Sequence, residues 1–323
     1  MGFKLLILQP SASGAGSMVD SWPGILQEKI PGVEVNLCRS VGEAMEVIGE
    51  CDAAYGNIVP ELFERGKNLK WIAGPQAGPR AGYYHDAMVA SDVVVTNTRE
   101  IYNDHISAHI MAMLLALAKG LHTYIRRQVD GRWQPDYEVV HLPDATVVIV
   151  GVGGIGGETA RLCAELGMTV LGVDPRVPEP PEGVAELHRP DALDQVLPRA
   201  DFVIMTVPET PETQGLFTGQ KFRLMKSGAF FINIGRGATV VLDDLVKALE
   251  SGEIRGAALD VFQIEPLPPG HALWGMDNVI ITPHVAAAGP HLDDRRTELF
   301  IDNCVRFNEG QTLRNVVDKA NWF

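Results

Sequence analysis

Two periodicities alternate along this chain. Short runs of apolar, often β-branched residues are separated by stretches in which apolar residues recur every three or four positions, the alternation that builds βαβ units around parallel sheets. The first series of such runs is Phe3–Leu8, Val33–Leu37, Asp52–Tyr55, Leu69–Ala73 and Val93–Thr96. Next, Ile106, Ile110, Met113, Leu114, Leu117 and Leu121 fall at intervals of three and four, one face of a long helix. A second series follows: Thr146–Val150, Met168–Val173, Phe202–Val207, Ala229–Ile234, Gly256–Val261 and Val279–Thr282. The segment Pro175–Pro181, with four prolines in seven residues, is a loop. The last helical stretch, roughly Asp293 to Asn308, follows no strand of its own, so it is expected to pack back on the amino-terminal layer.

These elements predict an α/β protein of two domains, and a length of 323 residues accommodates both. Six strands with crossovers suit a Rossmann doubly wound parallel sheet, spanning 101–289. It is inserted into a smaller flavodoxin-like parallel-sheet domain made of 1–100 plus 290–323. No internal repeat, low-complexity tract or charge block interrupts the pattern.

Composition narrows the function. Against 27 basic residues stand 41 acidic ones, a net charge of −14, which disfavours nucleic acid and anionic membrane surfaces as partners. The longest apolar run, Ile110–Ala118, has nine residues, where a membrane-spanning helix needs about 20. Leu5–Leu8 is too short for a secretory leader, so a cytoplasmic location is expected. Cys38, Cys51, Cys163 and Cys304 lie far apart with no C-x-x-C spacing, as reduced, packed thiols do.

The run Thr146–Val150 leads into Gly151-Val-Gly153-Gly154-Ile155-Gly156 and then into a helical pattern. Strand, G-x-G-x-x-G turn and helix occur in the order that binds a dinucleotide. Gly151 permits the turn, Gly153 lets the backbone approach a pyrophosphate, Gly156 allows close helix packing, and Gly154 and Ile155 open the helix whose amino terminus faces the anion. The next strand ends at Asp174, 18 residues beyond Gly156. A carboxylate there accepts bonds from the ribose hydroxyls of NAD and repels the 2′-phosphate of NADP. Arg176, two residues on, either stacks on adenine or partly neutralises a 2′-phosphate, or is a solvated loop arginine; NAD is the expected cofactor.

Reaction type is decided further on, because a glycine loop with an acid also suits methyltransferases. Three strings follow strand ends: Asn233-Ile-Gly-Arg236-Gly237, Asp260-Val-Phe-Gln-Ile-Glu265-Pro, and Thr282-Pro-His284. Hydride transfer to a 2-keto acid needs a cation to hold the carboxylate and polarise the carbonyl, and an acid to protonate the developing alkoxide. Arg236 and His284 have that chemistry, and Glu265 beside the imidazole would favour its protonated form and fix its orientation. His105 and His109 share a helix face at a spacing that can bind metal, but no H-E-x-x-H accompanies them and no metal site is expected. His109 is instead a residue that could line the site near the hinge.

With Thr206-Val207-Pro208 and Thr213 between them, these strings resemble the D-isomer-specific 2-hydroxyacid dehydrogenase family, and glyoxylate and hydroxypyruvate reductases within it. The likeness is dense from about Val147 to Ala286 and thinner in the first hundred residues. It implies a substrate domain and a nucleotide domain with the site in the cleft. In that picture Arg236 holds the substrate, Glu265 supports His284, and His284 exchanges the proton. Asp260 meets the nicotinamide carboxamide, and Thr206, Val207, Pro208, Thr213, Ile234, Gly235, Arg236, His284 and Ala286 line the cofactor. The backbone of Ala77-Gly78 cradles the substrate carboxylate, and the expected assembly is a homodimer paired through the nucleotide domain.

Two departures stand out. After Ala77-Gly78 relatives carry an aliphatic residue and an acid, whereas this chain has Pro79 and Arg80; Arg80 is a candidate for a second negative group on the substrate. Ala287 stands where relatives often have glycine. Side-chain specificity is expected from stretches around Gln9–Ser17, Tyr55–Asn57 and Gln76–Arg80. No regulatory domain is expected beyond the last helix. The alternative reading is a NAD(H)-responsive binding protein resembling the C-terminal-binding-protein co-repressors, which share the scaffold.

Overall fold

The computed structural model describes residues 2–9, 16–78 and 82–322. Pro79 and Arg80, and most of the Gln9–Ser17 loop, lie outside the described residues. The chain divides into two compact units, one of Met1–Ile101 with Gly289–Phe323 and the other of Tyr102–Ala288.

In the first unit β1 (Lys4–Leu8), β2 (Glu34–Cys38), β3 (Ala53–Tyr55), β4 (Trp71–Ala73) and β5 (Val94–Thr96) form a fully parallel sheet ordered β2-β1-β3-β4-β5. The crossovers are α1 (Gly16–Lys29), α2 (Val41–Val47), α3 (Pro60–Arg65) and α4 (Asp86–Val89). Ser40 caps α2 by accepting from the Glu43 amide, which satisfies one of the donors a helix start leaves open.

The second unit begins with α5 (Asn103–Lys119), which stops at Gly120 in the left-handed conformation (φ 69°). The chain then turns by 73° into α6 (Leu121–Val129). The single long helix expected through Leu121 is thus two, because a glycine at this φ ends a helix without the Cβ penalty other residues incur. Among the described residues no single helix is long and apolar enough to cross a membrane, and Ile110, Leu114 and Leu117 of α5 are fully buried in this unit's core.

The sheet of this unit contains β6 (Thr146–Val150), β7 (Thr169–Val173), β8 (Glu186–His188), β9 (Phe202–Met205), β10 (Phe230–Asn233), β11 (Gly256–Leu259) and β12 (Val279–Ile281). All run parallel in the order β12-β11-β10-β9-β6-β7-β8. The strand order reverses between β6 and β9, the switch point of a doubly wound sheet, so the loops at its carboxyl edge form a natural crevice. Helices α7 (Gly154–Glu165), α8 (Leu193–Val196), α9 (Gly219–Leu224) and α10 (Leu242–Glu250) complete the crossovers. β8 has no counterpart among the predicted strands. It is an edge strand whose Glu186 bonds Arg199 and His188 instead of lining a core, and the Arg199 guanidinium holds the Glu186 carboxyl down at about 2.

The chain returns to the first unit through α11 (Leu292–Glu309), which sets Phe300, Ile301 and Cys304 among Trp22, Tyr55 and Trp71. The packing of this helix against α1 and the sheet makes the first unit discontinuous. All four cysteines are free and buried, and burial pushes the Cys163 thiol up to about 12.

Candidate active site

Every strand of the second sheet that carries a candidate residue ends at the same edge. Gly151 follows β6, Asp174 follows β7, Thr206 follows β9, Arg236 lies three residues past β10, Asp260 follows β11, and Thr282 and His284 follow β12. The register of β10, β11 and β12 pairs Asn233 with Leu259 and Leu259 with Ile281, which places the loops that follow side by side.

The glycine loop fits a dinucleotide. Gly151 has φ 93°, and a Cβ on Gly156 would stand 1.8 Å from the Gly151 carbonyl oxygen, so only glycine lets α7 start this close to β6. At Gly153 a Cβ would meet nothing within 4 Å: the space over the helix start is open for a pyrophosphate. Thr206 donates its hydroxyl to the Val150 and Gly151 carbonyls, and Thr213 donates to the Pro208 carbonyl and accepts from the Thr210 amide. These two residues, predicted to line the cofactor, therefore hold the loops that would line it. Val207, Ile234 and Ala286 are buried beside them. Asn103, at the start of α5, lies against Gly154, where a Cβ would come within 2.6 Å of its amide nitrogen; nothing in the sequence signalled this contact.

Asp174 is buried, and its carboxylate accepts from the backbone amides of Val152 at 3.0 Å, Arg176 at 2.8 Å and Val177 at 3.1 Å. The acid thus ties the glycine loop to the turn after β7. A carboxylate accepts about four bonds, so room for one more partner remains.

Arg236 is presented by a turn that its neighbours close. Asn233, 1% exposed, accepts from the Gly235 amide through Oδ1 and donates from Nδ2 to the Arg236 carbonyl, which also accepts from the Thr239 hydroxyl. The guanidinium donates to the Gly235 carbonyl at 2.6 Å. A Cβ on Gly237 would lie 1.9 Å from the Phe262 carbonyl carbon, so glycine here lets the Arg236 loop press against the loop after β11. That second loop carries Glu265. Its Oε1 accepts from the Phe262 amide at 3.0 Å and its Oε2 lies 2.9 Å from His284 Nδ1. A carboxylate cannot donate, so Nδ1 carries a hydrogen toward it, and Nε2 is the ring nitrogen not engaged by Glu265.

His284 has φ 55°, an uncommon backbone state for a residue with a side chain. Asp260, 1% exposed, holds it there. The Asp260 carbonyl accepts from the His284 amide at 2.9 Å, Oδ1 accepts from the Val285 amide at 2.9 Å and from the Thr282 hydroxyl at 2.5 Å, and Oδ2 accepts from the Ala286 amide at 2.9 Å. From α5, His109 Nε2 reaches Thr282 Oγ1 at 3.1 Å. Asn233 and Thr282 stand in the strings the sequence singles out and His109 is expected near the site, but the bonds they make around Arg236 and Asp260, and the Phe262 amide on Glu265, carry no sequence signal. Among the described residues no group of three or more His, Cys, Asp or Glu could hold a metal ion.

In the first unit, the Ala77 carbonyl accepts from Asn97 Nδ2 at 3.0 Å, which ties the residue before Gly78 to the segment after β5. The Tyr55 ring is packed in that unit's core, edge-on to Trp22.

An open glycine loop at the switch point of a doubly wound sheet, with an acid-supported histidine and an arginine at the same edge, defines a dinucleotide-dependent oxidoreductase. Residues 111–286 match the family model described as D-isomer specific 2-hydroxyacid dehydrogenase, NAD binding domain. The chain is 32% identical over 268 residues to a glyoxylate reductase of Pyrococcus furiosus, covering 80% of this chain and 79% of that one. It superposes on a D-isomer specific 2-hydroxyacid dehydrogenase of Xanthobacter autotrophicus Py2, solved with NADPH and MES, with a TM-score of 0.85 at 30% identity over the whole of both chains. An NADPH-dependent glyoxylate/hydroxypyruvate reductase of Sinorhizobium meliloti, solved with NADP and sulfate, gives a TM-score of 0.82 at 29% identity over 99% of this chain and 100% of that one. The protein belongs to the D-isomer specific 2-hydroxyacid dehydrogenase family, oxidoreductases that act on CH–OH groups.

Two glycines separate fold from binding. Gly153→Ala is expected to leave the melting temperature of the free protein within about a degree of wild type while weakening NADH binding tenfold or more, read by nucleotide fluorescence. Gly156→Ala is expected to lower the melting temperature itself by several degrees, since a 1.8 Å approach forces α7 off the sheet.

Proposed function

We propose that the protein is a D-2-hydroxyacid dehydrogenase that works as a 2-keto acid reductase with NAD(H). The observation that carries the reading is the division of the Glu265 carboxylate between the Phe262 amide and His284 Nδ1. A carboxylate fixed in this way orients the imidazole, sets its tautomer and stabilises the imidazolium, the equipment of a general acid. A bound reduced nicotinamide supplies the hydride to C2 of the keto acid. Arg236 holds the substrate carboxylate and polarises the carbonyl, and His284 gives its Nε2 proton to the developing alkoxide, leaving a neutral imidazole that Glu265 keeps in the same tautomer. In the oxidising direction the same nitrogen takes the hydroxyl proton.

Glyoxylate and hydroxypyruvate are the proposed substrates, supported by the relatives named for them. The preference for NAD(H) is supported by Asp174, whose charge would meet a 2′-phosphate brought to the end of β7. The NADP bound by solved relatives, together with Arg176 two residues further on, supports the opposite preference.

We also propose a homodimer formed through the second unit. Leu121, Ile125 and Val129 line one face of α6 at intervals of four and are 48%, 62% and 85% exposed, and Trp133, just beyond, is 95% exposed. A row of exposed apolar side chains on one helix face is the kind of surface a partner copy covers. Light scattering is expected to give twice the 35.1 kDa chain mass, and Trp133→Glu to shift it toward one copy.

NADH oxidation followed at its near-ultraviolet absorbance across a panel of 2-keto acids tests the reaction. Turnover of glyoxylate or hydroxypyruvate is expected, with kcat/KM for NADH at least tenfold above NADPH. His284→Ala should bind NADH as wild type does and lose about 10²- to 10⁴-fold in kcat, the range a positioned general acid contributes. Wild-type kcat in that variant removes His284 from the proton role, and a preference for NADPH reverses the cofactor reading while leaving the reaction standing.

A further inference from the structure

The mechanism above does not use His109, although its side chain points into the network that carries His284. Its Nε2 lies 3.1 Å from Thr282 Oγ1 and 3.7 Å from Asp260 Oδ1. A threonine hydroxyl has one hydrogen, and that of Thr282 is directed at Asp260 Oδ1. The hydroxyl oxygen must therefore accept from His109, which assigns the hydrogen of the imidazole to Nε2. The result is a directed relay from a helix to a loop: His109 N–H to Thr282 O–H to the Asp260 carboxylate, whose two oxygens then accept the amides of Val285 and Ala286.

We propose that His109 is a positioning residue for the reaction, acting through Thr282 and Asp260 on the placement of His284; the proposal rests on the reading of His284 as proton donor. The segment after β12 has no ladder partner to define it beyond Thr282, and His284 sits in a left-handed conformation that its neighbours must maintain. Asp260 supplies those neighbours with acceptors, and the Oδ1 that serves Val285 also takes the Thr282 hydroxyl hydrogen. An N–H donated from His109 to that hydroxyl oxygen polarises the hydroxyl toward Oδ1 and strengthens its hold on the carboxylate. His109 can do so because α5 is anchored, with Ile110, Leu114 and Leu117 fully buried immediately after it and the helix packed against α7 and β11. Hydrogen-bond chains of this kind are directional, so removing one end loosens the other.

The expected effect lies in catalysis and not in affinity. His109→Leu should lower kcat about tenfold while KM for NADH and for the keto acid stays within twofold. His109→Gln, whose amide nitrogen can occupy the place of Nε2 and donate, should recover most of the loss. Thr282→Val should resemble His109→Leu, and the double variant should be no worse than either single one, because both sever the same relay. Additive losses, no rescue by glutamine, or wild-type kcat in His109→Leu would each overturn the proposal. Nitrogen-15 spectra of histidine-labelled protein provide a readout free of substrate and of folding defects in the variants. Wild-type His109 is expected as the Nε2–H tautomer, a bias that Thr282→Val should lose. An Nδ1–H or averaging His109 in the wild-type protein refutes the relay whatever the enzyme reduces, whereas the assigned tautomer in a protein that reduces no keto acid refutes the function and leaves the geometry intact.

Discussion

A carboxylate buried where a parallel strand ends must be surrounded by donors, because an unpaired charge in that position costs several kcal/mol. Asp260 meets this requirement with the backbone amides and hydroxyl of the segment from Thr282 to Ala286, and so converts an irregular loop into a defined one. His284, at its unusual φ, is thus framed by the Asp260 carbonyl on its own amide and the Asp260 carboxylate on the two amides that follow, while its ring is turned to Glu265. Asp174 does the corresponding work across the sheet, drawing the Val152 amide of the glycine loop to the turn after β7. In both places the loop amides that lack a ladder partner are satisfied by a strand-end carboxylate, and the loops so fixed are those that would meet cofactor and substrate.

Close approach supplies the second half of the geometry. Without a side chain at Gly237 the Arg236 turn can rest against Phe262, whose amide anchors Glu265. A cation, a carboxylate and an imidazole are thereby brought to one sheet edge by backbone contacts within a single unit, before any ligand arrives. Preorganisation of this kind is what lets charged groups act on a developing alkoxide without first rearranging.

Much of this was legible in the sequence because each signal was local. β-branched runs between helical periodicities placed eleven strands, the G-x-G-x-x-G turn followed one of them, and Arg236, Glu265 and His284 stood just past strand ends. What escaped was either polar or distant. β8 reads Glu-Leu-His, an edge strand of three residues with one apolar position, too short to show an alternation. Gly120 lies between two apolar stretches that share a helical period, and only its φ shows that the helix ends there. Thr206 and Thr213, which the family resemblance sets along the cofactor, also give their hydroxyl hydrogens to nearby carbonyls, and no local pattern signals that loop-holding contact. The His109 contact joins residues 173 positions apart, a separation at which a single sequence carries no signal.

Amide hydrogen exchange across residues 279–288 tests most directly whether the Asp260 carboxylate fixes the loop that carries His284. In the wild-type protein without ligand the amides of His284, Val285 and Ala286 should be protected well beyond those of an exposed turn. In Asp260→Asn the protection of Val285 and Ala286 should fall by a hundredfold or more while the β11 amides stay protected. Equal exchange in the two proteins, or rapid exchange of these amides in the wild type, would contradict the account.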